Sequence, residues 1–531
     1  MGSPYTYTTI AKDAAAADAA LCAYASLFGD VERRLFVEIK KGGDPVKLKP
    51  QLCREHGITA RQYNAIRIQL EGKIDAVKAQ RKGLIEQMKG RIKKAGQVLK
   101  KLFKPPKRRG LPETPAQEQA RLQKRHQKKR RFKALEGKLE RLEADDKAGV
   151  VSIAFGGLKR FCAQFNLAAN GYDDHAQWQA DWRAARSSQF FVLGSADETA
   201  GCQGCVATVN EEDESLDLRV RLPDAVLQDP SIDRVAGKYV ILKGVRFAYG
   251  HENVLHALQC SKQSSDAEEI KGHGVALSWR FIRGAKHGQP VWYVHVTVDV
   301  DAPQIVTLRA AGAIGADYNA DHLGVAEVDR SGNLTDHERI DTFLSCKTSG
   351  QRAAILGDAV KHLVARAIRA AKPIVIEKLD FSARKAQLED VDRRRARMLS
   401  ALAYRQFDRL LKGACFRAGV EVVEVNPAYT SVIGAINYAQ IYGISVHQAS
   451  AYAIARRGLN MSETPRASVM RKGAHVPTRN GGHVTCFLPA DRKQHLWQLW
   501  ARASRSLRAT LTAYYRSGLH KLDPPPLLPD G

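Results

Sequence analysis

The chain lacks a run of apolar residues long enough to cross a bilayer, and no basic stretch followed by an apolar one stands at its start. This argues against a membrane span and a secretory leader, and predicts a cytoplasmic protein with no membrane partner. Cysteine is sparse: nine residues, an odd number scattered from Cys22 to Cys486, which excludes a disulfide scaffold and predicts reduced thiols. Only Cys202-Gln-Gly-Cys205 has metal-ligand spacing. A zinc site there would need two more ligands, for which Cys260, His251 and His256 are the nearest candidates in sequence. A lone CxxC is a weak signal, and Zn2+ is not expected at Cys202 and Cys205.

Acidic residues are also short. Against 83 Lys and Arg stand 56 Asp and Glu, a formal charge of +27. So much self-repulsion calls for a polyanionic partner, of which nucleic acid is the commonest. A basic structural protein or a binder of anionic membranes would share the charge. At 531 residues the chain exceeds a single hydrophobic core and predicts two to four domains.

Three compositions follow one another. Residues 1–186 are rich in Ala, Leu, Lys, Arg, Gln and Glu with apolar positions at helical spacing from about Asp13 to Ala148, and are read as a basic helical recognition region. Two basic blocks, Lys89 to Arg109 and Lys124 to Lys133, flank the helix-breaking Pro105 to Pro112 segment. The second block has seven Lys or Arg in ten positions and no acid, whereas a solvated helix face usually mixes signs. Lys93, Lys94, Lys100, Lys101, Lys128, Lys129, Arg130 and Arg131 are the candidate phosphate contacts.

Residues 187–312 carry short runs of β-branched and aromatic residues, such as Leu216 to Leu222 and Val291 to Val300, and are read as a β-rich, OB-like antiparallel domain. From Ala313 the order becomes three strands, a helix, a strand, a helix, a strand and a helix, the layout of an RNase H-like fold. The reading is therefore a multidomain α+β protein whose α/β nuclease-like domain and C-terminal helices occupy 313–522, with a Pro-rich tail at 523–531 expected to be disordered.

Asp317 ends the apolar run Ala313-Ile-Gly-Ala, and Glu377 ends the buried strand signal Pro373-Ile-Val-Ile. In an RNase H-like sheet these two strands are neighbours, which brings two carboxylates together at the sheet's open end. Divalent cations relieve their repulsion. Two ions about 3.5–4 Å apart can then activate water and stabilise the leaving oxygen of a phosphodiester. Either acid alone would read as a strand-terminal surface carboxylate. Arg393, Arg394, Arg395 and Arg397 lie beyond Glu377, where a backbone would pass, and carry no base specificity.

The sequence Ala313-Ile-Gly-Ala-Asp317-Tyr-Asn-Ala-Asp-His-Leu-Gly-Val-Ala resembles the first RuvC motif of the TnpB family, the transposon-encoded ancestors of type V CRISPR effectors. Pro373-Ile-Val-Ile-Glu377-Lys-Leu-Asp-Phe is similar to its second motif. Gly419 to Ser431 resembles the strand and turn that lead to the family's zinc ribbon, and Ala449 to Gly458 its closing helix. The resemblance covers about Ala313 to Gly458 and is looser upstream, where it implies a basic helical recognition domain and a β-rich wedge domain. It implies an RNA-guided DNA endonuclease using Mg2+ or Mn2+, with guide RNA and double-stranded target DNA as partners.

Two absences separate the chain from that family. Val432 to Val446 contains no cysteine, so the ribbon is missing, and no Asp or Glu lies between Asn426 and Ser462, where the third catalytic Asp is expected. His447 stands at that position. An imidazole can ligate a divalent ion, which gives Asp317, Glu377 and His447 as catalytic and metal-holding residues. Otherwise His447 caps or packs, and the protein is a guided binder with impaired cutting. Glu421, Glu424, Glu463 or Asp491 could also supply the missing ligand. A guide-independent transposase or resolvase would share the same fold.

Overall fold

The alternating run Tyr5 to Ile10 forms β1 (Ser3–Ala11), which pairs antiparallel along its whole length with β7 (Gln289–Val300). The sequence reading placed no strand this early, because its partner lies far along the chain, Ser3 pairing with Val300 and Ala11 with Trp292. The computed structural model describes residues 3–103, 113–196, 198, 201–266, 276–300, 303–378, 404–478, 482–488 and 495–517. By compactness the chain divides into two units, Met1–Lys89 with Arg131–Asp301 and Gly90–Arg130 with Ala302–Gly531.

In the first unit, Leu21, Tyr24, Ala25, Phe28, Val31 and Leu35 recur at helical spacing and are buried on α1 (Asp18–Lys40). It is followed by α2 (Pro45–His56), α3 (Ala60–Phe103) and α4 (Pro115–Lys147). The predicted break at Pro105 to Pro112 lies outside the described residues. Two short helices, α5 (Leu158–Ala163) and α6 (His175–Arg186), lead into the β-rich region. That region forms two sheets. Strands β2 (Gln189–Val192), β6 (Ser278–Lys286), β7 and β1 make one, in the order β1-β7-β6-β2; β3 (Cys205–Val209), β4 (Leu216–Arg221) and β5 (Tyr239–Val245) make the other, and α7 (His251–Asp266) lies between β5 and β6 in sequence. Phe190 stacks on Tyr24 at 4.2 Å and on Phe281 at 4.8 Å, so helix and sheet share one core.

The second unit is built on a five-stranded sheet in the order β10-β9-β8-β11-β12. Strands β8 (Ala313–Tyr318), β9 (His322–Val328) and β10 (Leu334–Asp341) form an antiparallel meander; β11 (Ile374–Glu377) and β12 (Val422–Val425) join parallel to β8. This is the strand order and direction expected of an RNase H-like sheet. Helices α8 (Ser349–Ala370) and α9 (Tyr404–Arg417) cover one face, packing on Ile314, Ala316, Tyr318, Ile374 and Ile376. Helices α10 (Thr430–Asn437), α11 (Val446–Gly458) and α13 (Leu496–Ser517) share a core with Ala313, Ala326 and Val375 on the other. A short helix α12 (Ala467–Lys472) and the hairpin of β13 (Ala474–Pro477) and β14 (His483–Cys486) complete the chain. Trp500 is buried and donates to the Glu463 carbonyl at 2.8 Å, a core role. Among the described residues no helix is long and apolar enough to cross a membrane.

Candidate nucleic-acid site at the end of the RNase H-like sheet

Successive side chains of a strand point to opposite faces. Because Ile314, Ala316 and Tyr318 face α8 and α9, Gly315 and Asp317 face α11. The same alternation puts Val375 and Glu377 on that face. The parallel register pairs Val375 with Gly315 and Ile376 with Ala316, so its continuation sets Glu377 beside Asp317.

Missing side chains bring α11 onto this face. A Cβ on Gly315 would collide with the Ala451 carbonyl, and one on Gly324 would fall 2.8 Å from the carbonyl oxygen of His447. Gly324 is the antiparallel partner of Asp317, so the close approach occurs beside the acid. The helix starts where it must to use that contact: Ser445 caps it, accepting from the Gln448 amide at 3.2 Å while the Gln448 side chain accepts from the Ser445 amide at 3.0 Å. His447 thereby falls in the first turn. Its Nδ1 lies 3.3 Å from Oδ2 of Asp317, whose residue is only 9% exposed and which also accepts from Asn319 Nδ2 at 3.2 Å.

Glu377 has a different neighbour. Its Oε1 accepts the Thr430 hydroxyl, and Thr430 follows Tyr429, whose backbone is left-handed at φ 64°. A non-glycine residue in that region costs on the order of 1–2 kcal/mol. The turn is braced from α11 by Arg457, whose Nη1 donates to the carbonyls of Asn426 and, at 3.0 Å, Ala428. Burial lowers the Arg457 pKa, with the negative charges of Glu377 and Glu463 acting in the opposite direction.

A further histidine joins the group. His322, 5% exposed, packs edge-on against the His447 ring at 4.7 Å; its Nδ1 pairs with Asp321 at 2.8 Å, and its Nε2 is buried without a partner. Burial, more than any other effect, lowers the His322 pKa; the Asp321 hydrogen bond opposes it.

The structure therefore brings Asp317 and His447 into contact and sets Glu377 on the adjoining strand, but it does not gather the three about one point. Among the described residues no group of three or more His, Cys, Asp or Glu is arranged to hold a metal ion. As placed they do not converge on an ion: Asp317 and His447 meet each other, and Glu377 meets Thr430.

The substitutes considered for the third ligand are engaged elsewhere. Glu421 pairs with Arg309, Glu424 with Lys412 at 2.9 Å, and Glu463 with Arg456 and Tyr438; Asp491 lies outside the described residues. So do Arg393, Arg394, Arg395 and Arg397. Of the other basic candidates, Lys93, Lys100, Lys101, Lys129, Arg130 and Arg131 are exposed, while Lys94 and Lys128 are half-buried. Cys202 and Cys205 are buried, and burial pushes the Cys202 thiol up to about 12 and that of Cys205 well above its ordinary value. His251 instead contacts the Glu214 carbonyl at 2.8 Å, and His256 contacts Cys260 at 3.6 Å.

Neither a protein family nor a curated protein matches this sequence. Among solved structures, T. thermophilus RuvC in complex with a Holliday junction substrate is 20% identical, covering 27% of this chain and 88% of its own, with a TM-score of 0.20. A Cas12f1–sgRNA–target DNA complex is 10% identical over 86% of this chain and 99% of that one, with a TM-score of 0.31. A CRISPR-Cas12f ternary complex is 10% identical over 85% and 98%, with a TM-score of 0.18. With TM-scores this low, these likenesses carry no argument about the fold or the chemistry of this chain.

Sequence reasoning missed Thr430, Arg457, His322 and Asn319 as members of the site. Thr430 and Arg457 lie inside stretches that resemble the TnpB motifs but are not acids. His322 and Asn319 follow Asp317 by five and two residues, a proximity that offered a signal.

Proposed function

We propose that this protein is an RNA-guided DNA-binding protein on a RuvC-like scaffold, with DNA cutting impaired or absent. The observation that carries this reading is the engagement of both acids: Asp317 by His447, and Glu377 by Thr430. The basic helical region over residues 1–186 and the β-rich region over 187–312 would hold the RNA and the DNA flanking its target, using the phosphate contacts of a strongly basic chain. Its place in the TnpB lineage and the guide itself are part of the same proposal.

A second reading, the RNA-guided endonuclease with Asp317, Glu377 and His447 around Mg2+ or Mn2+, is favoured by one feature, the in-register placement of the two acids on β8 and β11. The test is to purify the protein with its copurifying RNA, sequence that RNA, and assay binding and cutting of matching DNA in Mg2+ and in Mn2+. The binder reading expects a discrete RNA, tight sequence-matched binding and no cutting by wild type, with cutting gained in His447→Asp. Cutting by wild type that is lost in both Glu377→Ala and His447→Ala establishes the second reading instead. Absence of any discrete RNA sinks both and leaves a guide-independent protein of this fold.

A further inference from the structure

Asp317 and Glu377 at the end of the sheet are each met by a donor from the protein itself. His447 and the Asn319 amide approach Asp317, Thr430 meets Glu377, and Arg457 places a guanidinium near Glu377 while bracing the turn that carries Thr430. Two bare carboxylates side by side would repel a phosphodiester, and a divalent ion is the usual remedy. Here the remedy is built from side chains. His322 supports the arrangement: it is almost fully buried, tied to Asp321, and packed edge-on against the ring of His447, with Nε2 unpartnered. The His447 ring thus touches both Asp317 and His322, while 38% of its side chain remains exposed.

We propose that the open end of this sheet takes a single nucleic-acid strand without a divalent ion, its carboxylates hydrogen-bonded by His447 and Thr430 and their charge offset in part by the Arg457 guanidinium. The proposal rests on the DNA-binding part of the function proposed above. The ligand is a phosphodiester backbone, recognised by charge and hydrogen bonding with no base contact. Asn319 and His447 stand on the Asp317 side, and Thr430 and Arg457 on the Glu377 side.

The experiment measures the affinity of the RNA-loaded protein for matching DNA by fluorescence anisotropy, first in Mg2+ and then with EDTA replacing it at constant ionic strength. Wild type and His447→Gln, which keeps a donor, are expected to change by less than about twofold. His447→Asp is expected to weaken about tenfold in EDTA and to recover in Mg2+, because the added carboxylate recreates the need for an ion. Asn319→Asp adds a carboxylate beside Asp317 without touching α11, and the same pattern is expected there. Melting curves in both buffers separate a folding defect from a binding one. The proposal is overturned if wild type weakens in EDTA as much as His447→Asp does, or if neither Asp variant acquires dependence on the ion. Cutting by wild type would remove the non-cleaving function but leave this comparison to be decided on its own terms. Failure to bind DNA at all sinks both.

Discussion

The two faces of the five-stranded sheet are packed by opposite rules. On the α8 and α9 face, Ile314, Tyr318, Ile374 and Ile376 meet Leu363, Leu411 and Phe407, and Tyr318 stacks on Phe407 at 4.7 Å. On the other, Gly315 and Gly324 of the sheet and Gly434 of α10 leave room for the backbone of α11, which itself presents Ala449, Ala451, Ala453 and Ala455 to the core. Large side chains hold helices at a distance and contribute burial. Small ones let a helix lie directly on the strands, so its first turn reaches a strand residue. The first face supplies stability, and the second supplies the site.

That contrast can be broken from either side. The largest effect is expected from Leu363→Ala on the apolar face, about 3 kcal/mol of stability, seen in thermal or urea unfolding, with DNA affinity per folded molecule unchanged. Gly315→Ala on the small-residue face is expected to cost about 2 kcal/mol and, unlike the first, to displace His447 and change DNA affinity in the molecules that remain folded. If both variants alter affinity alike, the division of labour between the faces is wrong. Thr430→Val should cost about 1 kcal/mol by removing the hydroxyl that donates to Glu377, measured as a fall in melting temperature. Ser445→Ala is expected to cost slightly less, about 0.5–1 kcal/mol, and to loosen the first turn of α11; hydrogen exchange at the Gln448 amide reads that directly.

Much of this unit was legible in the sequence. The predicted order of three strands, a helix, a strand, a helix, a strand and a helix from Ala313 is found among the described residues, with α10 added before the last helix, because these segments carry clear periodicity bounded by breaks. Asp317 and Glu377 were legible as neighbours for the same reason: both end strong strand signals. The first strand was not, since β1 is stabilised by β7 and not by anything local. His447 could be placed beside the acids by resemblance, but the sequence did not show which partner it would take. Nor could Thr430 be found. Its hydroxyl reaches Glu377 through a strained Tyr429 turn whose conformation depends on tertiary contacts, including the Tyr429 ring set edge-on to Trp497 at 5.7 Å.

By itself the sequence determined the charge of the whole chain, the periodicity of the sheet and its helices, and the absence of a third carboxylate between Asn426 and Ser462. These are sums and local patterns, which survive without knowledge of contacts. Only the tertiary structure decided that the two remaining acids are each met by a donor from a distant segment. Hydrogen bonds over sequence separations of 130 residues for His447 and Asp317, and 53 for Thr430 and Glu377, are set by which faces pack and how closely. The glycines at 315 and 324 set that distance, and their effect appears only once a helix lies across them.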